Sequence, residues 1–224
     1  MYGILLDHAS PLRERGELRI LGARFFVRRL SPRPTHTECA LLARLMRRRG
    51  VRLCVFPRDF PRTGTFAGQG VYPVDTDALL RRKAAELTLK RRRDMDLRGG
   101  VAVLAERLSS DVEETLLRLA PHVRTLALNG LCGRKDFCAE LMYQHGIALE
   151  PIRAENAETQ LFFSSPHTLL PPAALSVMLY GKNKPALCVS EKTEKHLPQG
   201  VERTPLLETL RLSGALREEE IFPA

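Results

Sequence analysis

The chain has 224 residues, 44% of them hydrophobic and 27% charged, with a formal net charge of +9. That balance excludes disorder as the main state and suits one large domain or two small ones with a substantial core. The N-terminal MYGILLDHAS lacks a basic segment followed by a long apolar run, and no apolar run elsewhere approaches the about 20 residues of a membrane span. The expectation is a cytoplasmic protein without a membrane partner.

In chain order, 2 to 7 reads as a short strand and 17 to 30 as a longer one, in which Leu18, Ile20, Ala23, Phe25 and Val27 alternate with polar residues around Gly22. A turn at Pro11 to Gly16 would join the two as a β-hairpin. Thr35 and Glu38 have the spacing of a capping box for a helix carrying Cys39, Leu42, Leu45 and Met46, with Gly50 at its end. VRLCVFP (51 to 57) is a continuous apolar run of the kind buried on both faces of a parallel sheet. A long loop over 58 to 74 follows. Asp75, Thr76 or Asp77 would cap a helix running to about Arg93.

VAVLAER (101 to 107) reads as a further buried strand, and Ser110 with Glu113 as a second capping box for a helix over 111 to 120. TLALN (125 to 129), a helix from about Arg134 to His145 and IALEPI (147 to 152) complete a strand–helix–strand–helix–strand series. Such a series is one mononucleotide-binding half of a doubly wound fold. Beyond it, 160 to 165 and 186 to 190 read as strands and Pro172 to Tyr180 and Pro205 to Ser213 as helices, before a loosely packed acidic tail. The predicted fold is a Rossmann-like three-layer α/β sandwich with a mostly parallel sheet and an N-terminal β-hairpin. It is read as a single domain over 1 to 224, with a subdomain boundary near 93 to 99 as the alternative.

Ligands of such sheets bind beyond the carboxyl ends of the strands, where loops converge with helix N-termini. That rule selects Asp7 to Ser10, Arg58 to Tyr72, Arg107 to Asp111 and Asn129 to Lys135. In NGLCGRKD, Gly130 and Gly133 would let the backbone approach an anion at the end of the strand carrying Asn129, and Arg134 and Lys135 supply charge. A plain strand-to-helix turn competes with that reading. ERLSSD offers the Ser109 hydroxyl where a dinucleotide fingerprint would have glycines; with neither G-x-G-x-x-G nor a P-loop present, no NAD or FAD site is predicted and the cofactor stays unassigned. In TGTFAGQG, Gly64, Gly68 and Gln69 belong to a loop long enough to bind a ligand, with Arg58 and Arg62 as further contacts.

Catalytic residues stay unassigned as well. Asp7 beside His8 would point to opposite faces of a strand, and no Ser or Cys has a spaced base. Cys39, Cys54, Cys132, Cys138 and Cys188 form neither a disulfide framework nor a metal-ligand pattern. The basic runs at 28 to 30, 47 to 49, 81 to 83 and 90 to 93 make nucleic acid a candidate partner, not the favoured one, because aromatic residues do not interleave with them. The functional expectation is a small anionic ligand, a nucleotide or phosphorylated metabolite, bound at the carboxyl edge of the sheet. The alternative is a basic nucleic-acid-binding or non-catalytic interaction protein.

Overall fold

The apolar run YGILL forms β1 (Tyr2–Leu6), buried from Gly3 onward in the computed structural model, which describes residues 1–12, 16–129, 135–152, 158–165, 172–181 and 183–224. The alternating segment that follows is two strands, not one. β2 (Gly16–Ile20) and β3 (Ala23–Arg29) fold back on each other across Leu21 and Gly22, whose φ angles of 48° and 86° suit a two-residue turn with the twist of its flanking strands. This corrects the expected hairpin. β1 is not its first strand but runs parallel to β3, with Tyr2 opposite Phe25 and Leu6 opposite Arg29.

α1 (His36–Arg48) begins as its cap predicts: the Glu38 N–H donates to Thr35 Oγ1 at 3.2 Å. The Glu38 carboxylate accepts from the Ser31 hydroxyl at 2.9 Å instead of closing the box. The helix buries Cys39, Ala43 and Met46, leaving Leu45 exposed, so its inward face is rotated from the expected stripe. β4 (Leu53–Val55) lies parallel to β1. The predicted loop after it contains α2 (Thr63–Ala67), a single turn held in place by fully buried Phe66, and β5 (Tyr72–Pro73) then extends the sheet beside β4.

The helix expected to run unbroken to Arg93 is two, α3 (Asp77–Arg82) and α4 (Ala84–Asp94). β6 (Val101–Leu104) is buried at every residue, as its continuous apolar run predicts. α5 (Ser110–Leu119) is capped by Ser109 and not by Ser110, and the Ser109 side chain makes no capping hydrogen bond. β7 (Leu126–Leu128), α6 (Lys135–His145), β8 (Leu149–Pro151) and β9 (Thr159–Phe162) follow. The segment read as a helix over 172 to 180 is instead β10 (Leu175–Met178), in which buried Leu175 and Val177 alternate with exposed Ser176 and Met178. Pairing with β9 outweighs the helix propensity of its Ala, Leu and Met residues.

The chain then adds β11 (Leu187–Val189), α7 (Glu191–Glu194), α8 (Arg203–Leu212) and β12 (Ile221–Pro223). The tail is not loose: Ile221 is fully buried, and β12 pairs with β11.

Residues 1–76 with 186–222 form one compact unit, and 77–185 form a second. Residues 93 to 99 lie inside the second, from the end of α4 into the loop before β6. The first unit has a sheet of order β2-β3-β1-β4-β5, antiparallel only at β2, over a core that includes Phe26, Met46, Cys54 and Phe66. The second has a wholly parallel sheet of order β10-β9-β6-β7-β8. The protein is a mixed α/β, Rossmann-like fold with mostly parallel strands. The 51 to 57 run is the exception to the expected single series: it forms β4 in the first sheet, not a neighbour of β6, β7 and β8. Among the described residues no helix is long and apolar enough to cross a membrane.

Candidate functional site

Each sheet has its own carboxyl edge, and each edge has a point where the strand order reverses. Connections leave neighbouring strands in opposite directions there and open a crevice, the usual ligand position in open α/β sheets. In the second unit that point falls between β6 and β9, with β7 and β8 on one side and β10 on the other. In the first it falls between β1, whose connection heads for the β2 edge, and β4, whose connection leads to β5. The four loops chosen from the sequence divide accordingly. Asp7 to Ser10 and Arg58 to Tyr72 belong to the first unit, Arg107 to Asp111 and Asn129 to Lys135 to the second.

Among the described residues at the edge of the second unit, Asn129 is engaged in hydrogen bonds within the fold. Asn129 follows β7 and reaches across to β6, its Oδ1 accepting from the Ala105 N–H at 2.8 Å while its own N–H donates to the Val103 carbonyl at 3.2 Å. One donor of the β6 turn, which a phosphate would need, is thereby satisfied. The Ser109 carbonyl accepts from the Glu113 N–H, and Asp111 and Glu113 put two carboxylates in the first turn of α5, where they already neutralise the helix dipole. Lys135 is exposed at the start of α6. Gly130, Gly133 and Arg134 lie outside the described residues.

The edge of the first unit is open and basic. A cavity of 610 Å³ lies against the ends of β1, β3 and β4 and the N-terminus of α1. Its floor is apolar, with Leu30, Phe60 and the prolines 32, 34, 57 and 61. Arg33, Arg58, Arg62 and His36 line it together with Asp7 and Asp59. Among the described residues none of the three arginines is ion-paired with a carboxylate, as is also true of Arg19, Arg24, Arg47, Arg48 and Arg52 in this unit, so what sets the three apart is their place at the cavity. A second cavity, of 450 Å³, shares Asp7, Pro57 and Arg58 with the first and continues between Ser10, Gly200 and the start of α8. Those three shared residues sit at the reversal between β1 and β4.

The polypeptide is bent to build this edge. Asp59 holds a φ of 54° in the turn closed by the Phe60 N–H on the Pro57 carbonyl, a left-handed conformation that Asp tolerates better than most side chains. Phe60 is thereby set parallel to Phe56, with centroids 5.5 Å apart and an 8° interplanar angle, and edge-on to Phe66 at 5.9 Å. On the other side, Arg29 donates to the carbonyls of His8, Ser10 and Leu12 and ties down the loop after β1.

Asp7 and His8 do cooperate, contrary to expectation. β1 ends at Leu6, so the alternation that would part them no longer applies, and Asp7 Oδ1 accepts from both the His8 backbone N–H at 2.7 Å and Nδ1 at 2.8 Å. The His8 hydrogen bonds hold the Asp7 carboxyl below the usual carboxylate range, with Arg29 adding a smaller effect. The pair is solvent-exposed, and His8 lines neither cavity.

Gly64, Gly68 and Gln69 also fall outside the cavity linings. Gly68 terminates α2, its N–H donating to the Gly64 carbonyl at 3.0 Å, and Gln69 Oε1 accepts from Arg44 Nε at 3.1 Å. Of the residues foreseen from the sequence, Arg58 and Arg62 reach the cavity. Arg33 and Phe60 were missed. The signal for Phe60 was present in PRDFPR, an aromatic residue flanked by arginines, but outside the basic runs where such interleaving was sought.

No protein-family model matches this chain, and no curated protein matches it. Among solved structures it is similar to D-mandelate dehydrogenase of Rhodotorula graminis at 12% identity, covering 75% of this chain and 66% of that one with a TM-score of 0.34. It is also similar to L-tryptophan dehydrogenase from Nostoc punctiforme, at 14% identity and a TM-score of 0.28 over 63% of this chain, which spans 44% of that one. A third likeness is to an NAD-complexed D-isomer specific 2-hydroxyacid dehydrogenase from Lactobacillus delbrueckii ssp. bulgaricus, at 10% identity and a TM-score of 0.30 over 76% and 64% of the two chains. Likenesses this distant assign no activity.

Proposed function

We propose that this protein binds a small anionic ligand, a nucleotide or phosphorylated metabolite, at the carboxyl edge of the first unit's sheet. The observation that carries the reading is the trio Arg33, Arg58 and Arg62, without carboxylate partners among the described residues, around a 610 Å³ cavity beside the strand-order reversal. That volume lies within the about 300–1,000 Å³ common for small-molecule sites. Arginine forks match phosphate and carboxylate oxygens two at a time, so a trio of them selects an anion over a neutral ligand. Asp7, already hydrogen-bonded to His8, also lines the cavity and has acceptor capacity left for a hydroxyl or amino donor of the same ligand.

The test is calorimetric titration of the parent and of Arg58→Gln with inorganic phosphate and adenosine monophosphate. A charge-assisted hydrogen bond is worth about 1.5–3 kcal/mol, so affinity should fall by roughly ten- to a hundredfold while the fold is unaltered. Equal affinity in parent and variant would remove the cavity from consideration. The sequence-based alternative, an anion held by Asn129, Gly130, Gly133, Arg134 and Lys135, is separated from it by reversing Arg134 and Lys135 to Glu, which leaves binding unchanged under the present reading.

A further inference from the structure

The anion site has one feature that charge does not explain, the orientation of Phe60. Its two aromatic neighbours account for only part of its surface: Phe56 stacks on one face and Phe66 meets it edge-on. Phe56 and Phe66 are buried, Phe60 is only partly so, and Phe60 alone of the three lines the cavity. Phe60 therefore forms one stacked pair, with Phe56, and is the member of that pair that borders the cavity. A half-buried aromatic ring in the lining of a cavity, flanked by prolines and bordered by arginines, fits a planar group better than a flexible aliphatic one.

We propose that the ligand carries a planar aromatic or heteroaromatic ring that stacks on Phe60 while its anionic group is held by Arg58. This rests on the anion-binding reading above and narrows its ligand class. Ribose phosphates without a base, and other aliphatic anions, are then weak ligands. The ring also supplies discrimination that three arginines alone lack, because guanidinium groups accept any accessible phosphate or carboxylate. The concave floor favours a single ring over the successive bases of a nucleic-acid strand, which call for an extended groove.

The experiment is calorimetric titration of the full chain with phenyl phosphate, benzoate, ribose 5-phosphate and an oligothymidylate of ten nucleotides. The parent should bind phenyl phosphate or benzoate roughly tenfold more tightly than ribose 5-phosphate, a single stacked pair being worth about that factor. Which of the two aromatic probes is preferred identifies the anionic group. Phe60→Leu should bring the ratio of the aromatic probe's affinity to that of ribose 5-phosphate from about tenfold to about one. Phe60→Tyr, which keeps the ring, should retain the preference and guards against a loss caused by disturbing Phe56 and Phe66.

Equal affinity of the parent for aromatic and aliphatic probes overturns the ring inference and leaves the anion reading standing. Failure of every small probe to bind the parent overturns both. An oligothymidylate that binds more tightly than phenyl phosphate and displaces it makes the site a single-strand surface and overturns the small-ligand assignment. Loss of the preference in Phe60→Tyr as well as in Phe60→Leu overturns stacking as its cause.

Discussion

Replacing Arg92 by Ala tests how the second unit is held together. Arg92 closes α4 and is 3% exposed. Its Nη1 donates to Thr159 Oγ1 at 2.6 Å and to the Gly100 carbonyl at 3.4 Å, and its Nη2 to the carbonyls of Gly99 at 2.9 Å and Leu97 at 3.3 Å. One guanidinium thus joins the end of α4, the 97–100 loop and the start of β9, where Thr159 pairs with Val101 of the central strand. Burial pushes the Arg92 pKa down and the neighbouring Glu158 carboxylate pushes it back up, yet a guanidinium stays charged at any working pH. Four charge-assisted bonds at about 1.5–3 kcal/mol each would sum to well over 6 kcal/mol, but they share one donor group and water enters the space left behind. The better guide is the about 3–5 kcal/mol lost when one member of a buried ionic network is removed. For a chain of this size that is a fall in melting temperature of roughly 6–20 °C, readable by circular dichroism. Arg92→Lys keeps the charge and reaches fewer acceptors, so it should recover part of the loss. A change below about 1 kcal/mol in Arg92→Ala would refute the assignment of Arg92 as the fastening of β9 to α4.

The remaining predictions concern packing, thiols and the edge of the second unit. A Cβ at Gly3 would lie 2.6 Å from Met46 Cε, 2.9 Å from Val51 Cγ1 and 3.0 Å from Cys54 Sγ, so Gly3→Ala overpacks the first unit by about 1–3 kcal/mol, measured by urea unfolding. Burial raises the thiol pKa of Cys54 and, less strongly, of Cys39, so both stay protonated at pH 8 and should react with a disulfide reagent only after denaturation; rapid labelling of Cys54 in the native protein would contradict this. Asn129→Ala strands the Ala105 N–H and should cost about 1–2 kcal/mol in a thermal melt, with no change in phosphate affinity.

How far the fold could be read in advance differs from strand to strand, for physical reasons. VAVL is bounded by Gly99 and Gly100 and by polar ERLSS, and its apolar residues are buried on both faces, so composition alone announces a central strand. VRLCV has the same composition but belongs to the other sheet. Which sheet a buried strand joins depends on pairing partners far away in sequence, and β4 meets β1 across about fifty residues. The same non-locality hides the return of 186–222 to the first unit, and puts β10 (Leu175–Met178) inside the segment read as a helix over 172 to 180 once β9 is beside it. The β2–β3 hairpin was more accessible, since Gly22 interrupts the alternation where the chain reverses. Its positive-φ partner Leu21 carries no such mark.

The candidate site adds a second lesson, about which charges remain available to a ligand. The basic runs make nucleic acid a candidate partner, not the favoured one, and several of their members are spent on structure. Arg28 and Arg49 lie over the Phe26 ring at 4.5 Å and 5.9 Å, Arg29 holds three carbonyls, Lys83 pairs with Glu86 at 3.1 Å, and Arg92 is buried. The reason is geometric. A cation on a helix or strand has neighbours one turn away or across the ladder, and selection for a stable fold fills those positions with carboxylates, carbonyls or rings. Arg33 lies between Pro32 and Pro34, Arg58 between Pro57 and Pro61, and Arg62 follows Pro61 at the N-cap of α2, so none of the three lies within a helix or strand. Under the proposed anion reading, isolated arginines in Pro-rich loops at a carboxyl edge would be a better sequence signal in this chain than its arginine clusters. The prolines matter as much as the charge, because they fix the loop backbone and so reduce the conformational entropy lost when an anion is bound.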